Sequence, residues 1–168
     1  MSGILLIAVF IFWLIAAVWI SQCVTRRCKT EGAKVVCALL LFPIIFIAPV
    51  VDEIVGGHQF SQLCEKYAAV EIDEEKAMNR RVYVDLAEEY KYADGTLVEV
   101  RINPHVYRDA DTNEIIVKYH TLHAGGGWLI RFLGISETDS PLLFNRGCAP
   151  LGRFDFKEKY NIKVVRKN

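Results

Sequence analysis

Residues 4–20 read ILLIAVFIFWLIAAVWI and residues 35–51 read VVCALLLFPIIFIAPVV, two runs of seventeen with no charged side chain in either. At about 1.5 Å per residue a helix of that length spans roughly 25 Å, close to the ~30 Å hydrocarbon core of a bilayer once flanking residues or a tilt are added. Buried helices of soluble domains usually carry shorter apolar stretches and a polar stripe. A secretory leader needs a basic start and a shorter apolar stretch. Here only Met1, Ser2 and Gly3 precede the first run, without charge, and Trp13 and Trp19 sit late in it. The pattern therefore predicts a transmembrane hairpin over residues 1–55, with helices at about 3–22 and 35–55 and a loop at 23–34.

Working outward from these runs, the loop sets the orientation. It holds Arg26, Arg27, Lys29 and Lys34 against the single acid Glu31. Short loops rich in Lys and Arg stay in the cytoplasm. Both termini are then expected on the outer side, which is the periplasm for a bacterial inner-membrane protein. Pro43 predicts a kink near the middle of the second helix, because proline lacks the N–H and crowds the preceding turn. No ionisable group lies within either run, so the hairpin reads as an anchor and not as a proton or ion pathway.

The chain has twenty basic and twenty acidic residues, but from Asp52 onward sixteen basic face nineteen acidic ones, a net charge of about −3. A mildly acidic domain lacks the basic footprint that phosphate neutralisation requires, so nucleic acid is not an expected partner. The lipid bilayer and a protein are. Of the five cysteines, Cys23 and Cys28 fall on the loop side and Cys37 in the second run. Only Cys64 and Cys148 remain in the outer domain, an even pair in an oxidising compartment, and they are expected to form a disulfide.

Residues 56–168 read as a small α+β domain. Gly56 and Gly57 mark the expected end of the second helix. Phe60, Leu63, Cys64 and Tyr67 then recur at helical spacing and predict a short amphipathic helix. Residues 73–81 form a charged connection or a further helical turn. From Arg81 the periodicity becomes two: Val82, Val84 and Leu86 alternate with polar neighbours, as do Val98, Val100 and Ile102. Asp94-Gly95 between them signals a hairpin. A second hairpin is expected around residues 111–114, joining 106–108 to 115–122. The Gly125-Gly126-Gly127 run leads into residues 128–133, read as another strand. Residues 136–140 read as loop, 141–155 as irregular structure clamped by Cys148, and 157–165 as a last edge strand. Four or five antiparallel strands with one amphipathic helix result.

A search for chemistry returns little. The triple glycine lacks the Lys-Ser/Thr that a phosphate loop needs, so a tight connection explains it better. His120 and His123 lie three apart on a predicted strand and face opposite sides, which is poor geometry for a shared metal. No serine-nucleophile motif is present. An enzyme is not indicated, and no cofactor or metal site is assigned. A tethered domain without chemistry works by contact, and Tyr83, Tyr90, Tyr92 and Tyr107 are the candidate contact residues. Neither helix carries a Gly-x-x-x-Gly face, so self-association through the hairpin stays open.

At the membrane exit the chain reads Asp52-Glu53-Ile54-Val55-Gly56-Gly57-His58-Gln59-Phe60, then Leu63-Cys64; later come Tyr107-Arg108-Asp109, Thr112 and Glu114, and Gly126-Gly127-Trp128-Leu129. This arrangement looks like small inner-membrane proteins of enterobacterial genomes and prophages. In length and anchored layout it resembles the superinfection exclusion proteins of short-tailed enterobacterial phages. The resemblance implies a prophage product that stops related phages from delivering DNA by meeting their ejected proteins in the periplasm. Two other classes share the layout: an immunity protein against a periplasmic or membrane-active toxin, and an antiholin-like lysis regulator.

Overall fold

In the computed structural model, which describes residues 2–67, 69–134, 140–151 and 155–166, the two apolar runs form helices α1 (Ser2–Thr25) and α2 (Glu31–Ile47) packed side by side. Thr30 starts α2 by accepting the Ala33 N–H on its hydroxyl at 3.3 Å. Helix α1, and the continuous helical run 31–67 that begins with α2, are each long and apolar enough to cross a membrane. Only 6% of the apolar stretch of either is buried inside the protein, whereas a core helix would be mostly buried. Ile4, Phe12, Leu39 and Ile44 all project outward. Of the loop cations, Arg26, Arg27 and Lys29 are exposed, and Lys34 pairs with Glu31 at 2.6 Å. The turn between the helices, at 26–30, is shorter than the expected 23–34.

The second helix does not end at Gly56 and Gly57. A 3-10 turn at Ala48–Val50 is followed directly by α3 (Val51–Tyr67), so 37 residues from Glu31 to Tyr67 form one helical rod. The expected domain boundary at 55/56 therefore falls inside a helix. The glycines serve close packing instead: a Cβ on Gly56 would lie 2.7 Å from both methyls of Val98, and one on Gly57 3.0 Å from the Phe144 ring. Pro43 sits within regular α2, and the change of helix geometry falls at Pro49.

Beyond α3 come β1 (Glu71–Ile72), the single turn α4 (Glu74–Ala77), β2 (Arg81–Asp85) and β3 (Lys91–Tyr92). The long strands β4 (Val100–Asp109) and β5 (Ile115–Ala124) follow, then α5 (Trp128–Leu133), β6 (Gly147–Cys148), α6 (Asp155–Lys159) and β7 (Lys163–Val164). The β4–β5 hairpin is the spine of the sheet, in the order β1-β5-β4-β2-β7, with β3 also beside β4 and β6 beside β5. The α+β class stands, but the sheet is mixed and not purely antiparallel, because β7 runs parallel to β2. The predicted hairpin at 111–114 joins β4 to β5. Asp94-Gly95 turns the chain from β3 into β4, with Gly95 at φ +73°, while β2 pairs with the far end of β4.

Two further readings change. Residues 128–133 are helical and not a strand. Residues 157–165 contain the end of α6 as well as the two-residue β7. Most of the 136–140 loop lies outside the described residues.

Two apolar clusters hold the sheet. Near α3, Phe60, Val98, Val100, Leu122 and Ala124 pack together with Leu63 and Phe144 around them. At the other end Val82, Tyr107, Val117, Tyr119, Phe156 and Tyr160 form the larger cluster. Each fully buried large apolar side chain contributes about 1.5–3 kcal/mol.

Candidate functional site at the junction of helix and sheet

Pro49 has no N–H to give to the Ile45 carbonyl four residues earlier, and an unpaired carbonyl in an apolar setting is costly. The Trp13 indole N–H fills the gap, donating to Ile45 O at 3.2 Å and Phe46 O at 3.3 Å. This contact sets α1 against the top of α2. One turn further on, Asp52 and Glu53 open α3. Glu53 is only 2% exposed, yet its carboxylate is well supplied: Oε1 accepts from Gly127 N at 3.1 Å, and Oε2 from Leu142 N and Leu143 N at 2.8 and 3.1 Å. Asp52 Oδ2 accepts from Trp128 N at 2.6 Å. Charge-assisted bonds of this kind are roughly twice as strong as neutral ones. Two adjacent acids thus fasten the start of α5 and the 142–143 segment to the helical rod. A Cβ on Gly127 would lie 2.6 Å from Asp52 Oδ2 and 2.8 Å from Glu53 Cγ, so the glycine at this position is what lets the backbone approach the carboxylates.

Helix α5 then lies beside α1. Trp128, Leu129, Phe132 and Leu133 face Val9, Phe10, Trp13 and Pro49 around an apolar cavity of about 290 Å³. Trp128 remains 47% and Phe132 79% exposed. A six-residue apolar run is ambiguous between strand and helix. Here the supporting contacts come from α1 and Pro49, which only the folded chain brings near.

Of the four tyrosines singled out in the sequence, two are interior and cannot be surface contacts. Tyr83 is buried and hydrogen-bonds Asn113, and Tyr107 is buried against Tyr119 and Phe156. In the β2–β4 register Tyr83 is paired with Arg108 and Tyr107 with Val84, so the two tyrosines lie on opposite faces of the sheet, and both faces are covered there. Tyr90 and Tyr92 are about half exposed and meet edge to face at 5.5 Å, with the Arg101 guanidinium 5.3 Å from the Tyr90 ring centre. Leu86 nearby is 88% exposed. Hydrogen bonding to Glu99, then burial, holds the Tyr92 phenol above its ordinary pKa. The 86–92 segment therefore exposes Leu86, Tyr90 and Tyr92 among the charged Glu88, Glu89 and Lys91.

Behind Tyr92 lies a polar cavity of about 230 Å³ that sequence reading missed. It is lined by Glu99, Arg101, His123, Gly125, Arg131 and Arg146 as well as Tyr92. Pairing of β4, β5 and β6 sets Arg101 opposite His123 and His123 opposite Gly147, which brings Arg146 alongside. Partial burial first, then Arg101 and Arg146, holds His123 below the ordinary imidazole value. Burial, then Lys118, does the same for His120. These arginines are tens of residues apart in the chain, with no spacing signature to link them.

Cys64 and Cys148 are joined in the structure with Cα atoms 6.0 Å apart, tying α3 to β6. Among the described residues no group of three or more His, Cys, Asp or Glu side chains is placed to hold a metal ion. Comparison with known proteins gave no match to a family model, a curated protein or a solved structure.

Proposed function

We propose that the chain is a two-pass protein of the bacterial inner membrane, with the 26–30 turn in the cytoplasm and the sheet domain in the periplasm. In that position it acts in superinfection exclusion, by contact with proteins that an incoming phage ejects. The observation that carries the membrane part is the unburied hairpin: two helices apolar on every side, with 6% of their apolar stretches covered by protein, need an apolar solvent. The Asp52–Glu53 clamp adds to it, because a domain bolted to the helix exit is held at a defined height above the bilayer. The basic turn supports the orientation. The exclusion activity draws on the resemblance in layout and on the exposed Leu86, Tyr90 and Tyr92 as a contact surface.

The test is a challenge of cells expressing this chain alone with a panel of tailed phages, scoring adsorption, plating and potassium efflux. Normal adsorption with plating reduced by orders of magnitude for related phages is the expected result. Loss of that protection in the Tyr90→Ser, Tyr92→Ser variant, at unchanged membrane abundance, would place the contact on the 86–92 segment. Unchanged plating across the panel removes exclusion of those phages as the function.

A further inference from the structure

The arginine cavity borders the contact surface at Tyr92, but its chemistry is different. Three guanidinium groups from β4, α5 and the segment before β6 line it, against one carboxylate, Glu99, which is hydrogen-bonded to Tyr92. The Nε of Arg101 is buried there without a hydrogen-bond partner. Three cations against one carboxylate leave the cavity with an excess of positive charge, which an anion would offset. Arg146 has interactions of its own and contributes here through its charge. Arginine forks match tetrahedral oxyanions and bind them through paired N–H donors.

The position of the cavity narrows the source of such an anion. Arg131 lies on α5, whose Trp128 and Phe132 are exposed beside the apolar face of α1. Trp13 stands level with Ile45, so Pro49 lies about 6 Å further along the rod at 1.5 Å per residue. Residues of α1 before Trp13 extend past that level, and α5 packs at the height of Val9 to Trp13. In a bilayer this places the apolar side chains of α5 beside the outer half of α1, with Arg131 on the same helix within reach of the headgroups and Trp128 where tryptophan is favoured.

We propose that the cavity formed by Arg101, Arg131, Arg146 and His123 binds a phosphate group, supplied by the headgroup of an anionic phospholipid or by a soluble phosphate. Only the choice of the lipid source rests on the membrane reading; phosphate binding itself does not depend on exclusion activity. An anion in the cavity also raises the pKa of His123, whose imidazolium Arg101 and Arg146 now disfavour.

The experiment uses the full chain, disulfide intact, in a neutral detergent and in phosphatidylcholine nanodiscs with and without a minor fraction of phosphatidylglycerol. Titration with inorganic phosphate, and retention of phosphatidylglycerol over phosphatidylcholine by native mass spectrometry, are read alongside the His123 ring signal by NMR. Expected are selective retention of phosphatidylglycerol, an upward shift in His123 titration, and affinity weakened about tenfold by Arg131→Gln, whose side chain is exposed and dispensable for packing. Arg101→Gln should weaken it further, and an unchanged thermal midpoint for Arg131→Gln separates binding from folding. Binding of inorganic phosphate without preference for phosphatidylglycerol supports the phosphate site and assigns it a soluble ligand. Absence of binding by either probe, or binding indifferent to both substitutions, overturns the proposal.

Discussion

The two ends of the β4–β5 hairpin are held by different physics. At the far end, neighbouring residues on both strands are buried, Val106 and Tyr107 on one and Ile116 and Val117 on the other, so both sheet faces are covered. Phe156 and Tyr160 complete a cluster bound by area and shape. The end near the helical rod has a smaller cluster, supplemented by directed bonds: three N–H groups on Glu53, one on Asp52, and the Cys64–Cys148 link. Apolar burial stabilises without dictating direction, whereas hydrogen bonds and a covalent link specify where the sheet stands relative to α3. Holding the sheet at a fixed attitude to the helical rod takes the second kind.

The largest expected effect comes from the covalent link. Replacing both cysteines by serine reopens a loop with a sequence separation of 84, and chain entropy sets the cost at about 4.5 kcal/mol or less. Denaturant unfolding of the serine variant measures it, and hydrogen exchange should rise first in α3 and β6 and last around Phe156. Uniform exchange across both ends would erase the distinction drawn here.

Next is the clamp. Glu53→Ala leaves three backbone donors without their acceptor and is expected to cost about 3 kcal/mol. Its signature is local: amide exchange at Gly127, Leu142 and Leu143 should accelerate while Val82 and Val117 stay protected. Protection at those three amides equal to that of the unaltered protein would show that the carboxylate does not hold the junction.

The smallest effect lies at the far end, at one of its buried polar groups. Asp109, buried at the β4–β5 turn, accepts from Asp111 N at 2.8 Å and Thr112 N at 2.9 Å. Burial alone would raise its pKa, but those N–H groups, with Arg80 at 3.5 Å, outweigh it and hold the carboxyl below its ordinary value. The stability it contributes is therefore complete above the unfolded value of about 4 and is lost as pH falls through the lowered folded one. Asp109→Asn should cost about 1–2 kcal/mol at neutral pH and flatten the acid limb of the stability profile. An acid limb identical to that of the parent would assign the pH dependence to other carboxylates.

The sheet domain was less legible than the hairpin, for identifiable reasons. Gly56 and Gly57 read as a helix end because glycine is the usual residue there, but α3 continues since Val98 and Phe144 press against its backbone. Residues 128–133 are too short for periodicity to decide, and their neighbours on α1 lie more than a hundred positions away in the chain. Tyr83 and Tyr107 carry the same composition signal as Tyr90 and Tyr92, yet strand pairing buries the first two. Asp52 and Glu53 were visible as acids at a helix exit, and nothing local announced their partners at 127, 128, 142 and 143.

By itself the sequence determined two helices apolar on all sides, the basic turn between them, the β4–β5 hairpin and the pairing partners left among the cysteines. Each of these follows from local periodicity, charge or counting. Only the tertiary structure decided that α3 is continuous, that α5 is a helix, that two acids clamp it, and that three distant arginines share a cavity. Those features depend on contacts between segments far apart in the chain, and no local pattern encodes which distant backbone a carboxylate or a guanidinium will meet.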